Sequence, residues 1–172
     1  MQSLRRYLER TLRLSVNEAK SAVDRPWERK FLGFTLSRKD KAIKVADKAI
    51  ATLKDKVRAI SVRTRGRRLT QIIEELRELL LGWKAYFGIA EVQSPLRELD
   101  QWVRRRLRCY IWKQWNRSGY RQLRKRGVSR NLAWNTAKSA HGPWRLSQSP
   151  GLTIALPNRY FTDLGLPTLE AR

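Results

Sequence analysis

Residues 69–87 read LTQIIEELRELLLGWKAYF, and within them Leu69, Ile72, Ile73, Leu76, Leu79, Leu80, Trp83 and Phe87 recur at steps of three and four. That spacing keeps them on one side of a 3.6-residue helix, so the stretch predicts a long helix with a wide apolar stripe. Gly88 can end it. Such a stripe must bury against something, and the flanks supply partners. Downstream, Ser94-Pro95 opens a helix in the cap-then-proline pattern, with Leu96, Leu99, Val103, Leu107, Tyr110 and Ile111 on its apolar side. Upstream, Asp47 reads as the N-cap of a helix carrying Ile50, Leu53, Val57 and Ile60. Three amphipathic helices with short connections predict a small antiparallel bundle.

Further out the pattern changes on both sides. Leu4, Leu8 and Leu12 predict a helix over 4–13, and Leu14-Ser15-Val16 a short strand. The apolar run from Lys30 to Leu36, a turn at Arg38 to Lys41, and Ala42-Ile43-Lys44-Val45 predict a hairpin over 31–45. Beyond Asn116, Gly119 to Gly127 reads as a short, strongly basic helix and 129–140 as another. From Ala140 the chain is rich in Gly, Pro, Ser and Trp and is expected to be irregular. The expected fold is therefore mainly α, in three parts: 1–46, 47–117 and 118–172.

Charge narrows the function. The chain has 172 residues, with 38 Lys and Arg against 15 Asp and Glu, a formal net charge of +23. Its neutralising partner is expected to be a polyanion. Nucleic acid fits better than a membrane, because no apolar run approaches the ~20 residues a span needs. One cysteine, Cys109, gives no internal disulfide framework, and with the single His141 it makes a His/Cys zinc site implausible. No metal site is expected. The start has no uninterrupted apolar core of a signal peptide, so a cytoplasmic location is expected.

Arg97, Gln101, Arg104, Arg105 and Arg108 stand at offsets of 4, 7, 8 and 11, which predicts one exposed basic face of the third helix. Guanidinium forks at that spacing can follow a phosphate backbone. A second cluster, Arg63, Arg65, Arg67 and Arg68, precedes a helix N-terminus, where free N–H groups also favour anions. A third, Arg121, Arg124, Lys125 and Arg126, is less specific. Trp112, Trp115 and Tyr120, among Lys113, Arg117 and Arg121, can either stack on bases or pack on the bundle. Trp83 and Phe87 are expected in the core. The aspartates are scattered, without the close pair that holds two metal ions for phosphoryl transfer, and no Walker loop or nucleophile elbow is present. The chain by itself is not expected to be an enzyme.

The order of segments then carries a resemblance. Residues 14–21, Leu14-Ser15-Val16-Asn17-Glu18-Ala19-Lys20-Ser21, followed by Phe31-Leu32-Gly33-Phe34, resemble the end of the palm in group II intron reverse transcriptases. Gly82-Trp83-Lys84-Ala85-Tyr86-Phe87 looks like the signature of their maturase-specific (X, or thumb) domain. Gly142-Pro143-Trp144-Arg145-Leu146-Ser147 and Leu156-Pro157-Asn158, with Tyr160-Phe161, are similar to the C-terminal end of the bacterial class C type. The resemblance implies that Lys20 matches a lysine that assists pyrophosphate departure, and that Phe31, Leu32, Gly33 and Phe34 match the primer grip. Residues 47–116 match the thumb, which binds template–primer and intron RNA, and the tail from 119 matches a DNA-binding region. Lys84, Lys113 and Arg117 join the basic clusters as expected nucleic-acid contacts. The family's paired catalytic aspartates are not among these residues, so the resemblance implies no catalytic role for this chain alone. Mg2+ is expected only for the full-length polymerase.

Three readings follow. The first is a maturase-type module that grips structured group II intron RNA and assists splicing and mobility. The second is the C-terminal piece of a split RNA-directed DNA polymerase, working with an N-terminal reverse-transcriptase fragment. The third, and weakest, is a general basic RNA-binding protein of ribosomal type. A DNA target, bound through the tail, is a further candidate partner. The strand at Leu32–Leu36 has few partners of its own, so 1–45 is expected to be less stable than 47–116.

Overall fold

A computed structural model describes residues 2–17, 24–62 and 65–170. Lys20 and Arg63 lie outside the described residues. The central elements are α2 (Asp47–Ile60), α3 (Leu69–Phe87) and α4 (Ser94–Trp115). Before them come α1 (Gln2–Arg10) and a two-stranded antiparallel hairpin, β1 (Phe34–Leu36) with β2 (Ile43–Val45). After them a 3-10 turn at Asn116–Ser118 leads into α5 (Gly119–Lys125) and α6 (Arg130–Lys138). Three short helices close the order: α7 (Pro143–Leu146), α8 (Pro150–Ala155) and α9 (Asn158–Asp163). The fold is mainly helical with one small hairpin, as expected.

The stripe on α3 does what its spacing predicts. Ile72, Ile73, Leu76 and Leu80 are fully buried, against Leu53 and Val57 of α2 and Leu96, Leu99, Val103 and Leu107 of α4. Each such side chain contributes on the order of 1.5–3 kcal/mol by leaving water. Trp83 and Phe87 pack against this core, their rings 4.5 Å apart.

Several local expectations change. Residues 14–16 are not a strand. Asp47 is not the N-cap of α2: Ala46 holds that place with extended backbone, and Asp47 sits in the first turn, 3.6 Å from Lys44 Nζ. A carboxylate there still complements the helix dipole. The predicted strand from Lys30 shrinks to Phe34–Leu36, because the chain first folds back on itself. Phe31 and Phe34 exchange backbone hydrogen bonds of 2.9 and 2.8 Å around Leu32 and Gly33, both at positive φ (49° and 83°). Positive φ at both central residues marks a two-residue hairpin turn, which favours glycine and is costly for leucine. The outer side of β2 is covered by its own chain. The Ile43 carbonyl accepts from Glu91 and Val92 N–H, and Ile43 N–H donates to Glu91 Oε2 at 2.7 Å.

The end of the chain differs most. Beyond Ala140 it is helical rather than irregular, in three pieces set off by prolines and serines. Ser149 caps α8 by accepting from Leu152 N–H, with Pro150 at the first helical position. Leu146, Leu152, Ala155, Leu156, Phe161, Leu166 and Leu169 are buried in the same continuous core as the bundle. These apolar residues are spread over segments of four to six residues, too short for a helical period to show. Packing on α4, α5 and α6 defines them. By contrast α1 has no buried residue.

Candidate nucleic-acid interface

The antiparallel course of the bundle sorts the candidate residues. The α2–α3 connection and the end of α4 lie together, since Tyr110 Oη and Gln114 Nε2 both donate to the Arg67 carbonyl, at 2.6 and 3.3 Å. Arg106 Nε, from the same part of α4, donates to Ser61 Oγ at 3.0 Å. At this end Arg65 and Arg68 are exposed. Arg65 and Arg67 both pair with Glu75. Arg68 N–H donates to Gln71 Oε1 at 3.0 Å, closing the first turn of α3. Lys113, Arg117, Arg121, Arg124 and Lys125 continue the exposed basic surface through α5. Arg124 Nη1 is held by the Val128 carbonyl at 2.6 Å, and Arg126 lies 4.6 Å over the Trp115 ring.

The basic face of α4 is corrected by the structure. Arg104 and Arg108 are 6% and 8% exposed, so the row from Arg97 to Arg108 is not an open surface. The C-terminal segment lies across it and uses its forks. Arg97 donates through Nε and Nη2 to Glu170 Oε1, at 3.0 and 2.6 Å. Arg104 pairs with Asp100 at 3.4 Å and donates to its carbonyl at 3.2 Å. Arg105 donates to the Trp144 carbonyl and Ser147 Oγ, with its guanidinium 3.9 Å over the Trp144 ring. Arg108 donates to the Leu156 carbonyl at 2.9 Å and to Asn158 Oδ1 at 2.7 Å. Burial, and after it the charge of Arg104, lowers the Arg108 pKa. Lys84 belongs to the same arrangement, since its ammonium donates to the carbonyls of Thr168 and Glu170 at 2.7 and 3.2 Å.

Asp100 is the pivot of this seam. Its buried carboxylate accepts Leu169 N–H at 3.0 Å and Glu170 N–H at 3.2 Å while facing Arg104. A buried charge needs such satisfaction on every side. The pivot was not singled out from sequence. The signal available was its place four residues before Arg104, the i,i+4 arrangement of a helix ion pair.

Each of the aromatics left open above has a packing contact within the fold. Trp112 lies against Gly119, where an added Cβ would stand 2.7 Å from the indole Cη2. Trp115 meets Trp112 edge-on at 6.1 Å, and Tyr120 meets Trp134 edge-on at 6.0 Å.

The residues matched to a primer grip lie at the opposite end of the bundle. Phe31 and Leu32 are 77% and 67% exposed. Gly33 passes so close to Phe87 that a Cβ would be 3.0 Å from its ring. Phe34 stacks on Tyr86 at 5.8 Å, and Tyr86 Oη donates to the Leu32 carbonyl at 3.0 Å. Pro26, Phe31, Leu32, Phe34, Leu36 and Ile89 line an apolar hollow of about 470 Å³ there.

Four exposed cations of the second half of the chain were missed by the sequence reading: Arg130, Lys138, Arg145 and Arg159. The signal that could have found them is the lack of any Asp or Glu from Gln101 through Thr162, while Lys and Arg recur throughout. Local clusters draw the eye; an acid-free stretch does not. Among the described residues no three His, Cys, Asp or Glu gather as metal ligands, and no helix is long and apolar enough to cross a membrane.

No curated protein matches the chain significantly. Residues 50–128 match the family model of the group II intron, maturase-specific domain, which takes in α2 but for its first residues, α3, α4 and α5. Residues 50–128 are therefore a group II intron maturase-specific domain, the part of this chain that carries its likeness to the C-terminal portion of a group II intron reverse transcriptase.

Proposed function

We propose that the chain is an RNA-binding maturase module that grips structured group II intron RNA and assists splicing and mobility. The observation that carries this reading is the maturase-specific domain itself, whose basic end stays open. Arg65, Arg68, Lys113, Arg117, Arg121 and Lys125 are exposed there, and the sequence from Gln101 through Thr162, which includes α5, holds no acidic side chain. Phosphate contacts from these residues would supply most of the affinity, so binding should weaken steeply as salt rises. The module would favour the splicing-competent fold only through its higher affinity for that fold. Template–primer and, through the tail, a DNA target are further ligands of the same basic surface, with 1–46, 47–117 and 118–172 as its working parts.

The test is competition binding of the purified chain to a folded group II intron RNA against equal-length unstructured RNA and duplex DNA, near physiological salt. Preference for the folded intron is the expected result. Equal binding to all three would leave only a polycation.

A second reading has its own observation. The hollow at Phe31, Leu32 and Ile89 exposes apolar side chains beside β1, where an N-terminal reverse-transcriptase fragment could dock. The chain would then complete an RNA-directed DNA polymerase. Mixing it with such a fragment, template, primer and dNTPs should give DNA synthesis; no incorporation would end this reading.

A further inference from the structure

Beside the bundle's basic end, a mainly polar cleft of about 280 Å³ opens where α4 and α6 both finish. Trp112, Lys113 and Asn116 line it from one side, and Ser139, His141 and Leu146 from the other. The Lys113 ammonium and the His141 ring make no hydrogen bond or ion pair to any described residue. This sets them apart from the guanidiniums of α4, whose donors the fold uses. No acidic residue stands nearby in sequence, as Gln101 through Thr162 has none.

The cleft offers more than positive charge. Trp112 supplies an aromatic wall, pinned by the close approach of Gly119. The end of α6 supplies acceptors, because a helix leaves its last carbonyls without intrahelical partners. The α6 end has no capping backbone N–H among the described residues, since Ser139 leaves it in extended conformation. Two helix C-termini disfavour a bare anion. They suit a ligand that brings N–H or O–H donors together with its negative charge, and a flat ring to lay on Trp112.

We propose that this cleft receives one unstacked nucleotide of the bound nucleic acid. The base lies on Trp112, base-edge or sugar donors meet the helix-end carbonyls, and Lys113 and His141 face the phosphate. Stacking on an aromatic side chain is how single-stranded segments are commonly read. The proposal rests on the RNA-binding reading above and adds to it a site for a nucleotide taken out of the helix.

The experiment uses the full chain and NMR of the tryptophan indole N–H groups, the Trp112 resonance being assigned by its loss in Trp112→Phe. Uridine monophosphate, deoxyuridine monophosphate and inorganic phosphate are titrated separately. The expected result is that a nucleotide moves the Trp112 resonance and phosphate alone does not. A larger response to the ribonucleotide assigns the cleft to RNA, and a larger one to the deoxynucleotide assigns it to DNA. The paired variant Lys113→Gln, His141→Ala alters only exposed side chains and should weaken nucleotide binding about tenfold, while Lys39→Gln at the hairpin leaves it unchanged. Nucleotides that leave Trp112 unmoved, while folded intron RNA still binds, would overturn the cleft. Failure of the intron RNA itself to bind would overturn the RNA-binding reading instead.

Discussion

The arginines of α4 between Arg97 and Arg108 and the cations from Lys113 to Lys138 look alike in sequence and lead different lives. The first group is employed by the fold. Arg97, Arg104, Arg105 and Arg108 meet a carboxylate or carbonyl oxygen of the chain itself, and two of them are buried. In the second group Lys113, Arg117, Arg121, Lys125, Arg130 and Lys138 reach into solvent. The difference teaches that a net charge of +23 is not a count of ligand contacts. A guanidinium has five donors in a fixed fork, and a folded chain can consume them as readily as a phosphate can.

The largest effect that sharpens this comparison is expected at the pivot. Asp100→Ala strips Arg104 of its counterion and leaves two backbone N–H groups without their acceptor. Urea unfolding should show a loss of about 3–5 kcal/mol. A loss below 1 kcal/mol would mean that the seam is decorative. The complementary change is Arg117→Ala, Arg121→Ala and Lys125→Ala together. Stability should stay within about 0.5 kcal/mol, while the slope of log K for RNA against log salt becomes shallower by about 2.7 for three lost contacts. An unchanged slope would break the comparison, because the exposed cations would then be as uninvolved as the buried ones.

A packing test comes next. At Gly151 an added Cβ would stand 2.5 Å from Thr136 Oγ1 and 3.3 Å from its Cβ, so Gly151→Ala should force α8 off α6 at a cost of about 1–3 kcal/mol. Thr136→Ala in the same chain should recover part of that loss. Hydrogen exchange then compares the two ends of the fold. Backbone amides of 1–45 should exchange faster than those of 47–116, since α1 buries nothing and the sheet among the described residues has two short strands. Equal protection would defeat that expectation. The smallest effect belongs to Arg97→Ala. Its bond to Glu170 raises the Arg97 pKa, yet both side chains meet solvent. The unfolding midpoint should shift least of all these variants, and the shift should shrink as salt rises.

How much was legible follows from the length over which each signal repeats. The α3 stripe spans five turns, so Ile72, Leu76 and Leu80 could be placed in the core without neighbours in view. The hairpin was legible as a hairpin. The turn at Leu32-Gly33 was not, because a leucine at positive φ contradicts its own preference and tertiary contacts hold it there. Trp83 and Phe87 were assigned to the core correctly. Trp112, Trp115 and Tyr120 stayed undecided, since an aromatic near basic residues serves either purpose equally well.

By itself the sequence determined the helical bundle and the maturase-type likeness, from periodicity and motif order, and its summed charge set the expectation of a polyanionic partner. Only the tertiary structure decided which cations remain free. An offset of four or seven residues puts Arg97, Arg104 and Arg108 on a common side of α4, but says nothing about what lies over that side. Here the answer comes from residues 144–170, distant in the chain and too finely divided to announce themselves as helices. Burial is a property of the partner as much as of the residue, and the partner is chosen by the folded chain.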